Sequence, residues 1–132
     1  MAVSPVLADS SYYIRLLRNG EDPLRALALA AATRDLVICG VVRCEVGRAL
    51  RVPNVTKRFH ATWDVMLNVP TDNRLWGDVE RTLWNLDRTG TVLPLTDVVI
   101  ACCALRVGAV VLTFDKHFDQ IPGVRAVNHL EM

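Results

Sequence analysis

Four acidic residues stand out by where they fall. Asp9 closes the apolar run from Val3 to Ala8, and Asp97 comes just after Thr91 to Leu95. Asp115 comes just after Ala109 to Thr113, and Glu45 follows Leu36 to Cys39 by six residues. Short apolar runs bounded by turn-forming residues read as buried strands. Each acid therefore sits at or shortly beyond the carboxyl end of a strand, where open α/β sheets place their working residues. Carboxylates gathered there suit a hard divalent cation, because Mg²⁺ and Mn²⁺ take oxygen ligands. Such an ion activates water and offsets charge on a phosphate. Taken singly, each acid has a plain explanation. Asp9 and Asp97 are good helix N-caps, Glu45 is within reach of Arg43 or Arg48 on a helix face, and Asp115 and Asp119 are ordinary loop acids. Four acids at four equivalent positions are harder to explain that way. The segment after Asp97, Val98 to Leu105, is apolar throughout and predicts a buried helix, at whose mouth a carboxylate is costly unless paired or metal-bound.

The elements that must position these acids alternate in type. Strands are expected at Val3–Ala8, Leu36–Cys39, Thr91–Leu95 and Ala109–Thr113, with a short one at Gly123–Val127 and a weak strand or turn at Val69-Pro70. Between them, helices are expected from Ser10 to Asn19-Gly20, from Pro23 to Thr33, from Val41 to Leu50, from Val55 to Leu67, from Asn73 to Asp87 and from Thr96 to Val107. In the Asn73–Asp87 helix, Leu75, Trp76, Val79, Leu83, Trp84 and Leu86 are the expected buried face. Strands alternating with helices predict an α/β fold with a mostly parallel sheet covered on both faces.

The whole composition narrows the class further. A chain of 132 residues, 52% of them hydrophobic, is sufficient for one domain over 1–132 with a continuous core. The net charge of +1 does not by itself mark a nucleic-acid binder. Only Lys57 and Lys116 are lysines, so most cations carry the planar fork that pairs with phosphate. Arg15, Arg18, Arg43, Arg48, Arg51 and Arg58 follow the first two strands, where they can hold phosphates or form a solvated face. Cys39, Cys44, Cys102 and Cys103 lack the spacing of a zinc knuckle and read as small buried hydrophobes of a reducing compartment. His117 reads as a packing or solvent-facing residue; His60 and His129 belong to no motif. The first eight residues lack a basic n-region, and no apolar run reaches the roughly 18 residues that span a bilayer. A cytoplasmic protein is expected.

Three segments carry a resemblance to a known family. They are Val6-Leu7-Ala8-Asp9-Ser10-Ser11, Leu95-Thr96-Asp97-Val98-Val99-Ile100-Ala101, and Val111-Leu112-Thr113-Phe114-Asp115-Lys116-His117-Phe118, with Glu45 between the first and second. The chain resembles the PIN domain over essentially its full length, and in size it is similar to the VapC toxins of bacterial toxin–antitoxin pairs. The resemblance implies a three-layer α/β/α fold with a sheet of four to five strands. It implies a Mg²⁺- or Mn²⁺-dependent endoribonuclease with Asp9, Glu45, Asp97 and Asp115 at the metal. It also implies Ser10 and Thr113 as supporting hydroxyls, Asp119 at a position where some members carry another acidic or amide residue, homodimers, an RNA substrate and a cognate antitoxin. A catalytically inactive PIN-like module that binds RNA or protein is the alternative. Two other families fit less well. A haloacid-dehalogenase-type enzyme needs a second Asp in Asp9-Ser10-Ser11, and a receiver domain needs paired acids at the first strand.

Overall fold

Val6, Leu7 and Ala8 are all buried, so neither face of this strand meets water. Only the middle of a sheet covered on both sides satisfies that pattern. In the computed structural model, which describes residues 3–130, this strand is β1 (Val6–Ala8) and it lies at the centre of a five-stranded sheet. The other strands are β2 (Leu36–Cys39), β3 (Leu67–Val69), β4 (Val110–Leu112) and β5 (Ala126–Val127), in spatial order β3-β2-β1-β4-β5. Every pairing is parallel, with Leu7 opposite Val37 on one side and Val111 on the other. The fold is the expected three-layer α/β/α arrangement.

Among the described residues, six helices connect the strands: α1 (Ser10–Arg18), α2 (Pro23–Ala30), α3 (Gly40–Gly47), α4 (Pro53–Asp64), α5 (Asn73–Arg88) and α6 (Leu95–Arg106). A 3₁₀ turn, Lys116–Gln120, follows β4. Helix α6 is buried at every position from Val98 to Ala104, as an all-apolar helix must be. Helix α1 is anchored by an aromatic cluster. Tyr13, Phe59 and Trp63 meet edge to face or tilted, and Trp63 Nε1 donates to the Tyr13 hydroxyl at 3.2 Å.

Several expectations need correction. Thr91–Leu95 is not a strand; the third strand is Leu67–Val69, where only a weak strand or turn was expected. Gly90, at φ 85°, closes α5 by letting Thr91 N reach Leu86 O, and Pro94 has no N–H to give a ladder. The segment is thus a short αα link, with Val92 81% exposed. Asp97 consequently follows a helix–helix link rather than a strand, in the first turn of α6 and not at its cap. Trp76 and Trp84 are exposed although they were expected in the core. Trp84 lies nine residues beyond buried Leu75, two and a half turns, and so points the opposite way; Arg88 stacks on it at 4.5 Å. Strand β1 begins at Val6 rather than Val3, and α3 begins at Gly40 and ends at Gly47 rather than running from Val41 to Leu50. All four cysteines are free, but Cys44 is exposed, on the outer side of a helix whose buried residues are Val42 and Val46.

Candidate metal centre

The sheet order reverses at β1: β2 and β3 lie to one side, β4 and β5 to the other. Crevices in open parallel sheets form at such a switch, beyond the carboxyl ends of the strands. Asp9 leaves β1 and Asp115 leaves β4 at this point. A further ladder bond, Asp9 N to Leu112 O at 3.0 Å, holds the two exits side by side.

Asp9 is the N-cap of α1 and is 2% exposed. Its Oδ1 accepts from Ser11 Oγ at 2.8 Å and from Tyr12 N at 3.2 Å, and its Oδ2 accepts from Thr113 Oγ1 at 2.9 Å. Burial nevertheless outweighs these donors and pushes its pKa up to about 6, with the charge of Asp97 adding to the rise. Thr113 is the joint of the site. While donating to Asp9, its hydroxyl accepts from Asp115 N at 2.9 Å and lies 3.2 Å from Ser11 Oγ. Ser11 Oγ in turn accepts from Phe114 N at 3.1 Å. The segment after β4 is thereby fixed to the start of α1.

Asp115 caps the 3₁₀ turn by accepting from His117 N at 2.9 Å. The turn aims the His117 ring back at the acids: Nδ1 is 2.7 Å from Asp97 Oδ2 and 3.3 Å from Asp115 Oδ1. One ligand atom from each of Asp97, Asp115 and His117 lies within 4.8 Å of the others. Burial raises the Asp97 pKa and the Asp115 charge adds to it, against the lowering effect of the His117 hydrogen bond. That same hydrogen bond raises the pKa of His117. His117 was not expected at this centre. Its ring meets Asp97 across 20 residues of chain; the only sequence trace is the Asp-x-His spacing on a turn.

Glu45 approaches from α3 and accepts from Ser10 Oγ at 2.9 Å. It is half-buried and stands outside the tight trio. Ser10 therefore serves Glu45, not Asp9. Asp119 is exposed on the 3₁₀ turn and lines a depression with Arg15, Phe114 and Asp115, but it is not one of the trio. The structure thus gathers Asp97, Asp115 and His117 tightly and ties Asp9 to them through Thr113. Glu45 is attached through Ser10, and Asp119 is left aside. As a donor set it is mainly carboxylate oxygen, with two acids held above their ordinary pKa by burial and like charge. A hard divalent cation fits such a set.

Residues 6–124 match the PIN domain. The chain belongs to the PIN-domain family. Among proteins of curated function, none matches it. Three solved structures illustrate how widely this PIN fold is shared. A chain of VapBC2 from Rickettsia felis, solved with a DNA fragment from their promoter, is 15% identical with a TM-score of 0.74, over 92% of this chain and 96% of that one. A chain of DNA-bound VapBC from Salmonella typhimurium is 20% identical with a TM-score of 0.76, over 95% and 98%. A chain of VapBC-5 from Mycobacterium tuberculosis, a member of the VapBC family of toxin-antitoxin systems, is 19% identical with a TM-score of 0.61, over 96% and 98%. At these identities the likeness is one of fold. Among the described residues, no helix is long and apolar enough to cross a membrane.

Proposed function

We propose that this PIN domain is an endoribonuclease that hydrolyses RNA phosphodiester bonds, using Mg²⁺ or Mn²⁺ held by Asp9, Glu45, Asp97 and Asp115. One observation carries the reading: acids from three separate elements converge at the sheet's switch point, and burial raises the pKa of Asp9 and Asp97. Partly buried like charges are costly without an opposing cation. When bound, the ion lowers the pKa of an attendant water and offsets charge gathering on the phosphate. Asp97 and Asp115 each offer an oxygen within 4.8 Å of the other. Asp9 is held in place by three donors. Thr113 and Ser10 fix the orientation of Asp9 and Glu45, a supporting part that outer groups commonly play around metals. His117 positions Asp97 Oδ2 by hydrogen bonding to it.

In this reading the chain is one domain over 1–132 that works in the cytoplasm, forms homodimers and is silenced by a cognate antitoxin. The VapBC likenesses support the toxin assignment. Purified free of partner, the protein should cut RNA with Mg²⁺ or Mn²⁺ and not in excess chelator. Asp9→Asn and Asp97→Asn should each slow cleavage at least about a hundredfold. Cleavage that survives chelation sinks the metal mechanism. RNA or protein binding with no cleavage under either ion marks an inactive binding module instead. Expressed alone, the wild-type chain should arrest growth and Asp9→Ala should relieve the arrest.

A further inference from the structure

Beside the acidic centre, three cations without a carboxylate partner among the described residues lie around one aromatic ring. Arg43, Arg58, Arg81 and Arg106 are each bound to a carboxylate. Arg15, Arg18 and Lys116 are exposed, and none forms an ion pair among the described residues. The Arg15 guanidinium lies instead over the Phe114 ring, 4.3 Å from its centroid, and that ring stacks on Tyr12 at 5.5 Å and 9°. Two depressions, of about 660 and about 530 Å³, share Arg15, Phe114, Asp115 and Lys116 in their walls. The stack is therefore their common boundary, and Asp115 joins both to the acidic centre. The larger depression continues past Ser11 to Arg18.

The spacing on α1 gives this surface a direction. Ser11, Arg15 and Arg18 are related by four and three residues and so lie on one helix face. Ser11 bonds Asp9, and Arg18 lies about 10 Å further along the axis. A face that begins at the carboxylates and continues as unpaired cations beside an aromatic ring matches single-stranded nucleic acid. The cations take phosphates and the ring takes a base by stacking. Duplexes keep their bases stacked inside and have no use for the ring. An exposed arginine on an aromatic ring is held weakly and is free to exchange that contact for a phosphate.

We propose that Arg15, Arg18, Lys116 and Phe114 form the nucleotide-binding shelf of this enzyme, holding single-stranded RNA beside the scissile bond and leading it along α1. The inference rests on the nuclease reading for its substrate class, and its test is separate from cleavage. A fluorescein-labelled 12-nucleotide single-stranded RNA is titrated in chelator at several salt concentrations, with binding read by anisotropy. Arg15→Ala should weaken binding about three- to tenfold and flatten the slope of log K against log salt by about 0.7, the value for one single-strand phosphate contact. Arg15→Lys should restore the slope. Phe114→Leu should weaken binding at least about fivefold and leave the slope unchanged, as loss of base stacking requires. Lys57→Ala and Arg74→Ala, cations on α4 and α5, should bind as wild type. Thermal unfolding of each variant checks that it is folded. If the wild type fails to bind, the shelf is refuted. It is equally refuted if Arg15→Ala and Phe114→Leu bind normally, or if duplex RNA or an acidic peptide competes better than single strands. Normal binding by those variants with metal-dependent cleavage intact would leave the nuclease reading standing. Lost binding in a protein that cleaves nothing would leave the shelf standing without it.

Discussion

At the scale of single residues, the unusual feature is a carboxylate kept in place by its hydrogen bonds and made costly by its burial. Asp9 ionises near 6 in the fold against 3.8 for an unperturbed side chain. The folded state thus holds its proton where the unfolded chain has released it, and this group makes the metal-free protein less stable as pH rises from about 4 to above 6. The shift corresponds to about 3 kcal/mol. His117 acts in the same sense, because its raised pKa contributes stability that is lost as pH rises through the folded value. Asn at position 9 caps α1 as well as Asp, accepts from Tyr12 N and Ser11, and carries no charge. In chelator, urea unfolding of wild type should therefore show markedly lower stability at pH 7.5 than at pH 4.5, relative to Asp9→Asn. Parallel pH profiles for the two proteins would show that Asp9 is not destabilised by its setting. Thr113 is the complementary case. Thr113→Val keeps the shape but leaves Asp9 Oδ2 and Asp115 N without their shared partner. It should cost about 1–3 kcal/mol in denaturant unfolding, and Thr113→Ser should recover most of that.

At the scale of elements, the site depends on how α1, α6 and the 3₁₀ turn are held against the sheet. The indole N–H of Trp63 has the Tyr13 hydroxyl as its partner in the core. Tyr13→Phe leaves that donor unsatisfied and should lower unfolding free energy by about 1–3 kcal/mol; an unchanged midpoint would mean the bond does not secure α1 to α4. The parts legible in the sequence are those fixed by local pattern. The apolar runs around β1, β2 and β4 announced buried strands, so Asp9 and Asp115 were placed correctly from their neighbours alone. Asp97 was placed at the right edge for a wrong reason. Thr-Val-Leu-Pro-Leu resembles a strand by composition, but Pro94 and the Gly90 turn make it a link between helices. The misplaced Trp76 and Trp84 show the same limit. Hydrophobicity identified them as core residues, whereas helical phase puts Trp84 opposite Leu75 and Arg88 covers it. The pairing of His117 with Asp97 and the Arg15–Phe114 stack join segments far apart in sequence, so no local pattern contains them.

At the scale of the whole molecule, the competing accounts of the acids predict opposite signs for one experiment. A neutralised acid in a cluster without metal relieves desolvation and repulsion, and so stabilises the fold. A neutralised acid in an ordinary cap or ion pair removes a favourable interaction, and so destabilises it. Asp97 is the residue to test, because burial and the Asp115 charge raise its pKa against the lowering effect of the His117 hydrogen bond. In chelator at pH 7.5, Asp97→Asn should therefore melt higher than wild type. With metal the order should change, because an ion that binds only the folded state adds RT ln(1 + [L]/Kd). This amounts to about 2.7 kcal/mol at a hundred times Kd. Wild type should gain steadily as Mn²⁺ is raised. Asp97→Asn, and Asp115→Asn beside it, should gain much less, so that the wild-type and variant curves converge or cross with added ion. The gain should also shrink at pH 5, where protons compete for Asp9. If both variants melt several degrees lower in chelator and Mn²⁺ shifts all three proteins equally, the acids at this edge are structural. The PIN fold of this chain would then carry no metal centre at the position its sheet prepares for one.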